Sequence, residues 1–455
     1  MTIDLTNALP ACAPLDGSPI TEAAFVSKDS LYQVCTRCIM DTTDPLIEFD
    51  EDGVCNHCKY FENNITPAWF PNEEGARKLA AMLAEVKAYG KGKEYDCIIG
   101  MSGGIDSSYI AVKVVEWGLR PLVVHVDAGW NSELAVQNIE EITRRLGIDL
   151  VTHVVDWEEM KDVQLAFMRS NVANQDVPQD HAFFAALYSY AIKSDIKYVI
   201  SGSNFATESI LPQAWGYNAM DIKHLESIHK EFGTRKLKSF PRVGFWDFYF
   251  RFPMVKGMKV LAPLNFIEYD KEEAMRILER DWGWRYYGGK HYESRWTRFF
   301  QGYYLPYKFG YDKRKAHLAS LVVAGQMTRE QALKELEKPL YTGNMLAEDK
   351  AFVSKKLGIS EEELEKLIHE PCRHYSEFPH NEGQFELWHG RYQKALALRS
   401  KAKQISGLPK VMGNKVLATG RRGGAYGKAL GNKVLRQAVR MRNYGKAAAR
   451  KMLGR

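Results

Sequence analysis

Short apolar runs and amphipathic stretches alternate through the middle of the chain. Cys97, Ile98, Ile99 and Met101 form a run of the kind a strand buried on both faces requires. Residues 121–127, PLVVHVD, and residues 150–155 repeat it, and residues 198–201 make a shorter run ending at Gly202. Between these runs the spacing predicts a helix beginning at Asp106, another over about 132–146 and a third over about 179–194. Residues 73–90 precede the first strand as an amphipathic helix with Leu79, Met82, Leu83 and Val86 along one face. The pattern resumes at residues 261–266, and Tyr269-Asp270 leads into a helix up to about Asp281. Strand and helix in turn predict an α/β domain whose parallel sheet is covered on both faces.

The turn after the first strand carries the chemistry. In Ser102-Gly103-Gly104-Ile105-Asp106-Ser107-Ser108 the two glycines lack a Cβ, so their backbone can take positive φ and approach a bulky anion. Ser102, Ser107 and Ser108 add hydroxyl donors, and the start of the following helix favours negative charge. The expected ligand is phosphate. The string lacks both the Gly-Lys-Ser/Thr ending of a Walker loop and the GxGxxG spacing. It resembles the PP-loop, SGGxDS, of the ATP pyrophosphatases. Those enzymes split ATP between the α and β phosphates, adenylate a carbonyl-type oxygen and let a nitrogen or sulfur nucleophile displace AMP.

In open parallel sheets ligands bind beyond the carboxyl ends of the strands. Asp127 lies at one such end, where a turn residue is equally expected. The resemblance places the adenine of ATP against Val126, Asp127 and Ala128. The next strand ends in Gly202-Ser203-Asn204-Phe205-Ala206-Thr207-Glu208, which looks like the Gly-Thr-x-x-x-x-Glu stretch of ammonia-dependent NAD synthetases, with Ser203 in place of threonine. There the glutamate helps bind magnesium. Asp106 and Glu208 are accordingly the candidate Mg²⁺ carboxylates, as a hard ion sharing phosphate oxygens prefers.

Cys35-x₂-Cys38 and Cys55-x₂-Cys58 stand sixteen residues apart. Two such turns bring four thiolates onto one ion and close the S₄ shell of structural Zn²⁺, although an iron–sulfur cluster could use the same thiols. Asp52-Gly53 supplies a hairpin turn between the halves. His57 beside them reads as a bystander.

Composition narrows the setting. The chain has 455 residues and seven cysteines, too few for a secreted disulfide framework of that length. No apolar run reaches the length of a membrane helix and no signal peptide is evident, so the expected location is cytoplasmic. The net charge of +6 is unevenly spread: residues 391–455 hold 18 Lys or Arg and no acidic residue, leaving −12 on residues 1–390. In the tail, KVMGNKVLATGRR is echoed eighteen residues later by KALGNKVLRQAVR. Its second copy has the pattern of a basic amphipathic helix suited to a neighbouring subunit or, peripherally, the anionic inner membrane face, with a disordered solubilising tail and an RNA-binding tail as the alternatives.

A dense segment follows the nucleotide domain: Lys290-His291-Tyr292-Glu293-Ser294-Arg295, then Lys308 and Arg314 within KFGYDKRK. Cations among aromatics suit a nucleic-acid surface, a solvated helix face or a clamp for pyrophosphate and a nucleotide sugar. Taken together, CTRCIMDTTDPLIEFDEDGVCNHC, the PP-loop, KHYESRWTRFFQGYYLPYKFGYDKRKAHL and AGQMTREQAL resemble the N-acetyl sugar amidotransferases, the PP-loop synthetase subunits of lipopolysaccharide and flagellin-sugar pathways. The likeness spans roughly residues 31–378, and Ala324 stands where serine is expected.

The resemblance implies that ATP adenylates the oxygen of an N-acetyl group on a nucleotide-activated sugar, and that ammonia then displaces AMP to leave an acetamidino group. It also implies a separate glutaminase subunit and an ammonia-conducting barrel subunit. Asp180 or His181 could orient or deprotonate the ammonium, and either could equally cap a helix. A tRNA-thiolating PP-loop enzyme is the alternative, with Cys12, Cys97 and Cys372 as its remaining thiols. An adaptor dominated by its basic tail is a third. The expected division is an arm at 1–30, a zinc module at 31–68, a PP-loop domain at 69–270 with an insertion at about 205–260, a helical substrate-binding region at 271–390 and the tail at 391–455.

Overall fold

The structure, a computed structural model, describes residues 32–289, 292–385 and 387. The arm at 1–30, the tail at 391–455 and the pair Lys290 and His291 lie outside the described residues. The chain divides into one unit over 1–380 and a second from Asn381 onward. The sheet and the phosphate loop lie in the first unit.

Five parallel strands make the sheet, in the order β3-β2-β1-β4-β5. They are β1 (Cys97–Gly100), β2 (Pro121–Asp127), β3 (Leu150–Val154), β4 (Tyr198–Ile200) and β5 (Lys259–Leu261). Register is set by apolar partners: Ile98 pairs with Leu122 on one side and Val199 on the other. The crossovers are helical. Before β1 comes α1 (Glu73–Gly90), and α2 (Ile105–Glu116) and α3 (Glu133–Leu146) follow β1 and β2. Two helices, α4 (Trp157–Ser170) and α5 (Val177–Lys193), join β3 to β4. The single turn α6 (Phe205–Glu208) and the helix α7 (Ile222–Phe232) lie between β4 and β5. Capping explains several of these starts and stops: Asn72 and Ser132 accept the N–H three residues on, and Gly147 ends α3 at φ +64°.

Strand side chains alternate between two cores. Cys97, Ile99 and Val123 face α2, α3 and α8 (Lys271–Trp282). Ile98, Leu122 and Val124 face a larger core that takes in α4, α5, the four cysteines and the helices after residue 295. Those helices include α9 (Arg295–Phe299), α10 (Leu305–Phe309), α11 (Lys313–Val323), α12 (Arg329–Leu336), α13 (Met345–Leu357) and α14 (Glu361–His369).

Helix α4, absent from the expected elements, buries polar residues alongside the apolar Met160, Val163 and Phe167. Glu159, Asp162 and Gln164 are all buried there. The two acids hold the insertion. Glu159 accepts the backbone N–H groups of Lys238, Ser239 and Phe240, and Asp162 accepts those of Thr234 and Arg235, the Thr234 hydroxyl and His229 Nε2. Helix α7 packs against α4 by this means.

Burial alone would raise both carboxyls, but the donors outweigh it and both are lowered. A lowered folded value means the stabilisation is complete above the unfolded values of about 3.9 to 4.3 and is lost as pH falls through the folded ones. Glu159→Gln and Asp162→Asn should therefore each cost about 1 to 3 kcal/mol at neutral pH. They should also flatten the acid limb of a plot of urea-unfolding free energy against pH; an unchanged acid limb in both variants would contradict the assignment.

Candidate active site

Because β1 has β2 on one side and β4 on the other, the loops leaving β1 and β4 part at the point where strand order reverses. The loop after β1 is Met101–Gly104. Gly103 has φ +83°, and a Cβ on it would stand 2.5 Å from the Ala135 carbonyl, so glycine is required by the approach of α3. Trp284 fixes the loop from the other side, donating from Nε1 to the Gly103 carbonyl at 2.9 Å. Gly104 differs from the expectation of positive φ: it caps α2 in extended geometry at φ −71°.

The serines divide. Ser102 and Ser107 face one another across the loop, 3.2 Å between hydroxyls, and Ser107 also donates to the Gly104 carbonyl. Both are accessible, whereas Ser108 is fully buried within α2, its hydroxyl without a partner in the protein. It therefore cannot reach a ligand over the loop as a donor.

The loop after β4 meets the first through backbone. A Cβ on Gly202 would lie 2.9 Å from the Asp106 carbonyl carbon and oxygen. Ser203 is held by Ser201, and Asn204 caps α6, accepting from Thr207 N–H at 2.9 Å. From its other end Asn204 donates to Asp106 Oδ1 at 3.2 Å. Tyr269 donates to the same oxygen, and its hydroxyl is raised well above the phenol range by burial, then by Asp106 and Glu208. The structure thus brings Asp106, Asn204 and Glu208 around one buried phenol.

Tyr287 stands at the mouth of α2, 3.3 Å from where a Cβ on Gly104 would lie, with Glu293 Oε1 at 3.4 Å. Burial, Glu293 and Asp106 raise its hydroxyl. Nothing in the sequence pattern distinguishes Tyr269, Trp284, Tyr287 or Glu293 from other core aromatics and surface acids.

Along β2, pairing with β1 stops at Gly100↔Val124, and Met101 N–H donates on to the Val124 carbonyl. Val126, Asp127 and Ala128 thus run past the end of β1. Asp127 Oδ1 accepts Gly129 N–H at 2.8 Å, a turn-closing role.

Of the other candidate residues, several are engaged elsewhere. Lys308 is buried and donates to Asn171 Oδ1 at 2.6 Å and to the carbonyls of Leu367, Ile368 and Glu370, so it closes the end of α14 and is no solvent-facing anion clamp. Arg295 and Arg298 share the buried Asp349, and Arg295 stacks 3.9 Å above Phe352. Arg314 chelates Asp312 at the start of α11 and reaches the Lys338 carbonyl. His181 is buried with both nitrogens used: Nδ1 donates to the Ala219 carbonyl at 2.8 Å and Nε2 accepts from Val243 N–H at 3.2 Å. Its pKa is lowered by burial, so the ring is a neutral brace and no base for ammonium. Asp180 is different: burial, and then Asp176 one turn earlier, push its carboxyl up to about 7 against the opposing charge of Lys313.

The four cysteines form the second site. All are fully buried, with Sγ···Sγ distances of 3.6, 3.7 and 3.8 Å across Cys38–Cys55, Cys55–Cys58 and Cys35–Cys58. A tetrahedron of sulfurs about 2.3 Å from a zinc ion has edges of about 3.8 Å. Backbone N–H groups of Arg37, Cys38 and Cys55 point at Cys35 Sγ. Arg329, from α12, donates to the carbonyls of Cys38 at 2.9 Å and Cys35 at 3.0 Å, a brace the motif spacing does not announce. His57 pairs with Asp44 at 2.6 Å, outside the thiol cluster.

A glycine-turned loop at the switch point of a five-stranded parallel sheet defines an α/β protein of the PP-loop fold class. Residues 293–394 match the family model described as LPS biosynthesis protein WbpG-like, C-terminal domain. An uncharacterized protein of Methanocaldococcus jannaschii is 24% identical over 319 residues, covering 67% of this chain and 93% of that protein. Among solved structures, the NH3-dependent NAD synthetase of Campylobacter jejuni is similar at 15% identity, with a TM-score of 0.25, over 45% of this chain and 83% of the other. The NMN synthetase of Francisella tularensis gives 15% identity and a TM-score of 0.24, over 63% and 92%. A predicted tRNA methyltransferase subunit of Methanocaldococcus jannaschii gives 13% and 0.21, over 40% and 73%.

Among the described residues no helix is long and apolar enough to cross a membrane.

Proposed function

We propose that this protein is an AMP-forming amidotransferase synthetase that converts the N-acetyl group of a nucleotide-activated sugar, on a route to lipopolysaccharide, into an acetamidino group. The observation that carries the reading is the meeting of the PP-loop and Asp106 with Gly202, Asn204 and the turn that ends in Glu208. An amide carbonyl is a poor electrophile. Transfer of AMP to its oxygen supplies the leaving group that attack by ammonia requires, and pyrophosphate departs.

Ser102, Ser107 and the N–H groups at the start of α2 would hold the departing phosphates, where fixed donors are worth most as charge develops. The backbone of Val126 to Ala128 would receive the adenine. Asp106 and Glu208 would hold Mg²⁺, which when bound would neutralise charge on the phosphate oxygens. Asp180, with a carboxyl near neutrality, is suited to take a proton from ammonium. Ammonia would come from a partner glutaminase through an ammonia-conducting barrel subunit. The sulfur alternative is disfavoured because burial raises the Cys97 thiol and Cys372 donates its Sγ–H to the Lys308 carbonyl. The four cysteines would hold one structural Zn²⁺ with no open position.

Asp106→Asn and Glu208→Gln should each reduce AMP formation from ATP, ammonium and a diacetamido sugar nucleotide by at least about 100-fold, with urea-unfolding curves unchanged. Wild-type turnover in both would remove these carboxylates from the reaction. Separately, elemental analysis should find one zinc per chain in the native protein, lost together with several degrees of thermal midpoint in Cys38→Ser; a metal-free protein of undiminished stability would contradict the structural role.

A further inference from the structure

Asp106 Oδ1 takes two donors, Asn204 Nδ2 at 3.2 Å and the Tyr269 hydroxyl. Asn204 is itself anchored, its own oxygen accepting from Thr207 N–H at 2.9 Å and the Thr207 hydroxyl at 3.1 Å, so it ties Asp106 to the turn that ends in Glu208. Tyr269 is only 4% exposed, its ring lies 5.5 Å from that of Tyr109, and its carbonyl accepts from Gln326. Its hydroxyl lies in the field of both Asp106 and Glu208. Two carboxylates set in one crevice repel each other before a cation arrives. A neutral O–H donor to one of them spreads its charge and fixes its plane.

We propose that Tyr269 is the positioning residue for the cation site, holding the Asp106 carboxylate by its hydroxyl in the orientation in which Asp106 and Glu208 bind a divalent ion together. The inference rests on the reading of those two carboxylates as the cation's holders. Tyr269 touches neither substrate nor ion; it acts through Asp106. The sequence could not have flagged it, since a tyrosine two residues before a helix reads as core.

Tyr269→Phe keeps the ring and removes the donor. With α,β-methylene ATP bound, the half-saturating concentration of Mn²⁺ followed by electron paramagnetic resonance should rise about tenfold, the size of one hydrogen bond to a charged group. The thermal midpoint and the zinc content should stay as in the native protein. AMP formation should fall at limiting Mg²⁺ and recover at saturating Mg²⁺. 4-Aminophenylalanine at position 269, which restores a donor, should return Mn²⁺ binding toward the native value. Native Mn²⁺ affinity in Tyr269→Phe, or a failure of the amino analogue to restore binding, would overturn the proposal. Native Mn²⁺ affinity in Asp106→Asn would instead overturn the underlying reading of the cation site, whatever Tyr269→Phe does.

Discussion

Two backbones meeting with no side chain between them set the geometry of this protein's crevice. The loop after β4 passes Asp106 so closely that any side chain at position 202 would strike its carbonyl. That contact follows from sheet order, because β1 and β4 are neighbouring parallel strands whose following segments start side by side. It brings a helix start, with its donors, against a turn that carries a carboxylate. Any bulk at position 202 would separate the two halves of the site before chemistry became an issue.

The rest of the described chain supports that meeting. The four-cysteine module is joined to the helices after residue 310. Lys315 of α11 forms a buried ion pair with Asp41, and Arg329 of α12 caps the carbonyls of two cysteines. Further along α11, the buried Ser320 accepts the N–H of Ile210, two residues beyond Glu208, at 3.0 Å. One helix thus bears on the four-cysteine module at one end and on the Glu208 turn toward the other. A buried ion pair such as Lys315–Asp41 adds little net stability while complete, and breaking it by removing one partner is costly, which suits a joint whose task is alignment.

Much of this was legible in the residues. Buried parallel strands need near-continuous apolar runs, so PLVVHVD marks β2 from Pro121 to Asp127 and CII marks β1. Helix ends were readable where caps are local, as at Ser132 and Asp270. Cysteine spacing located the S₄ cluster because two short turns can bring thiols together without knowledge of the fold. What escaped depends on distant partners. Helix α4 mixes buried acids with its buried apolar residues, and the segment those acids bond lies some 75 residues away. Lys308, Arg295 and Arg314 read as an anion clamp because their sequence shows charge and aromatic neighbours, whereas Asp349, Asp312 and the carbonyls ending α14 consume that charge in space. Tyr269 and Arg329 were invisible for the same reason: a hydrogen bond to a residue more than 150 positions off leaves no local pattern.

In the proposed reaction the oxygen of an acetamido group is the atom that attacks ATP. The direct test is a diacetamido sugar nucleotide carrying oxygen-18 in its N-acetyl carbonyl, incubated with the protein, ATP, Mg²⁺ and ammonium and followed by mass spectrometry. The AMP formed should carry the heavy oxygen, two mass units above normal, and the sugar nucleotide should have exchanged that oxygen for an NH group. Unlabelled AMP formed alongside a sugar nucleotide that retains its oxygen-18 would contradict this mechanism.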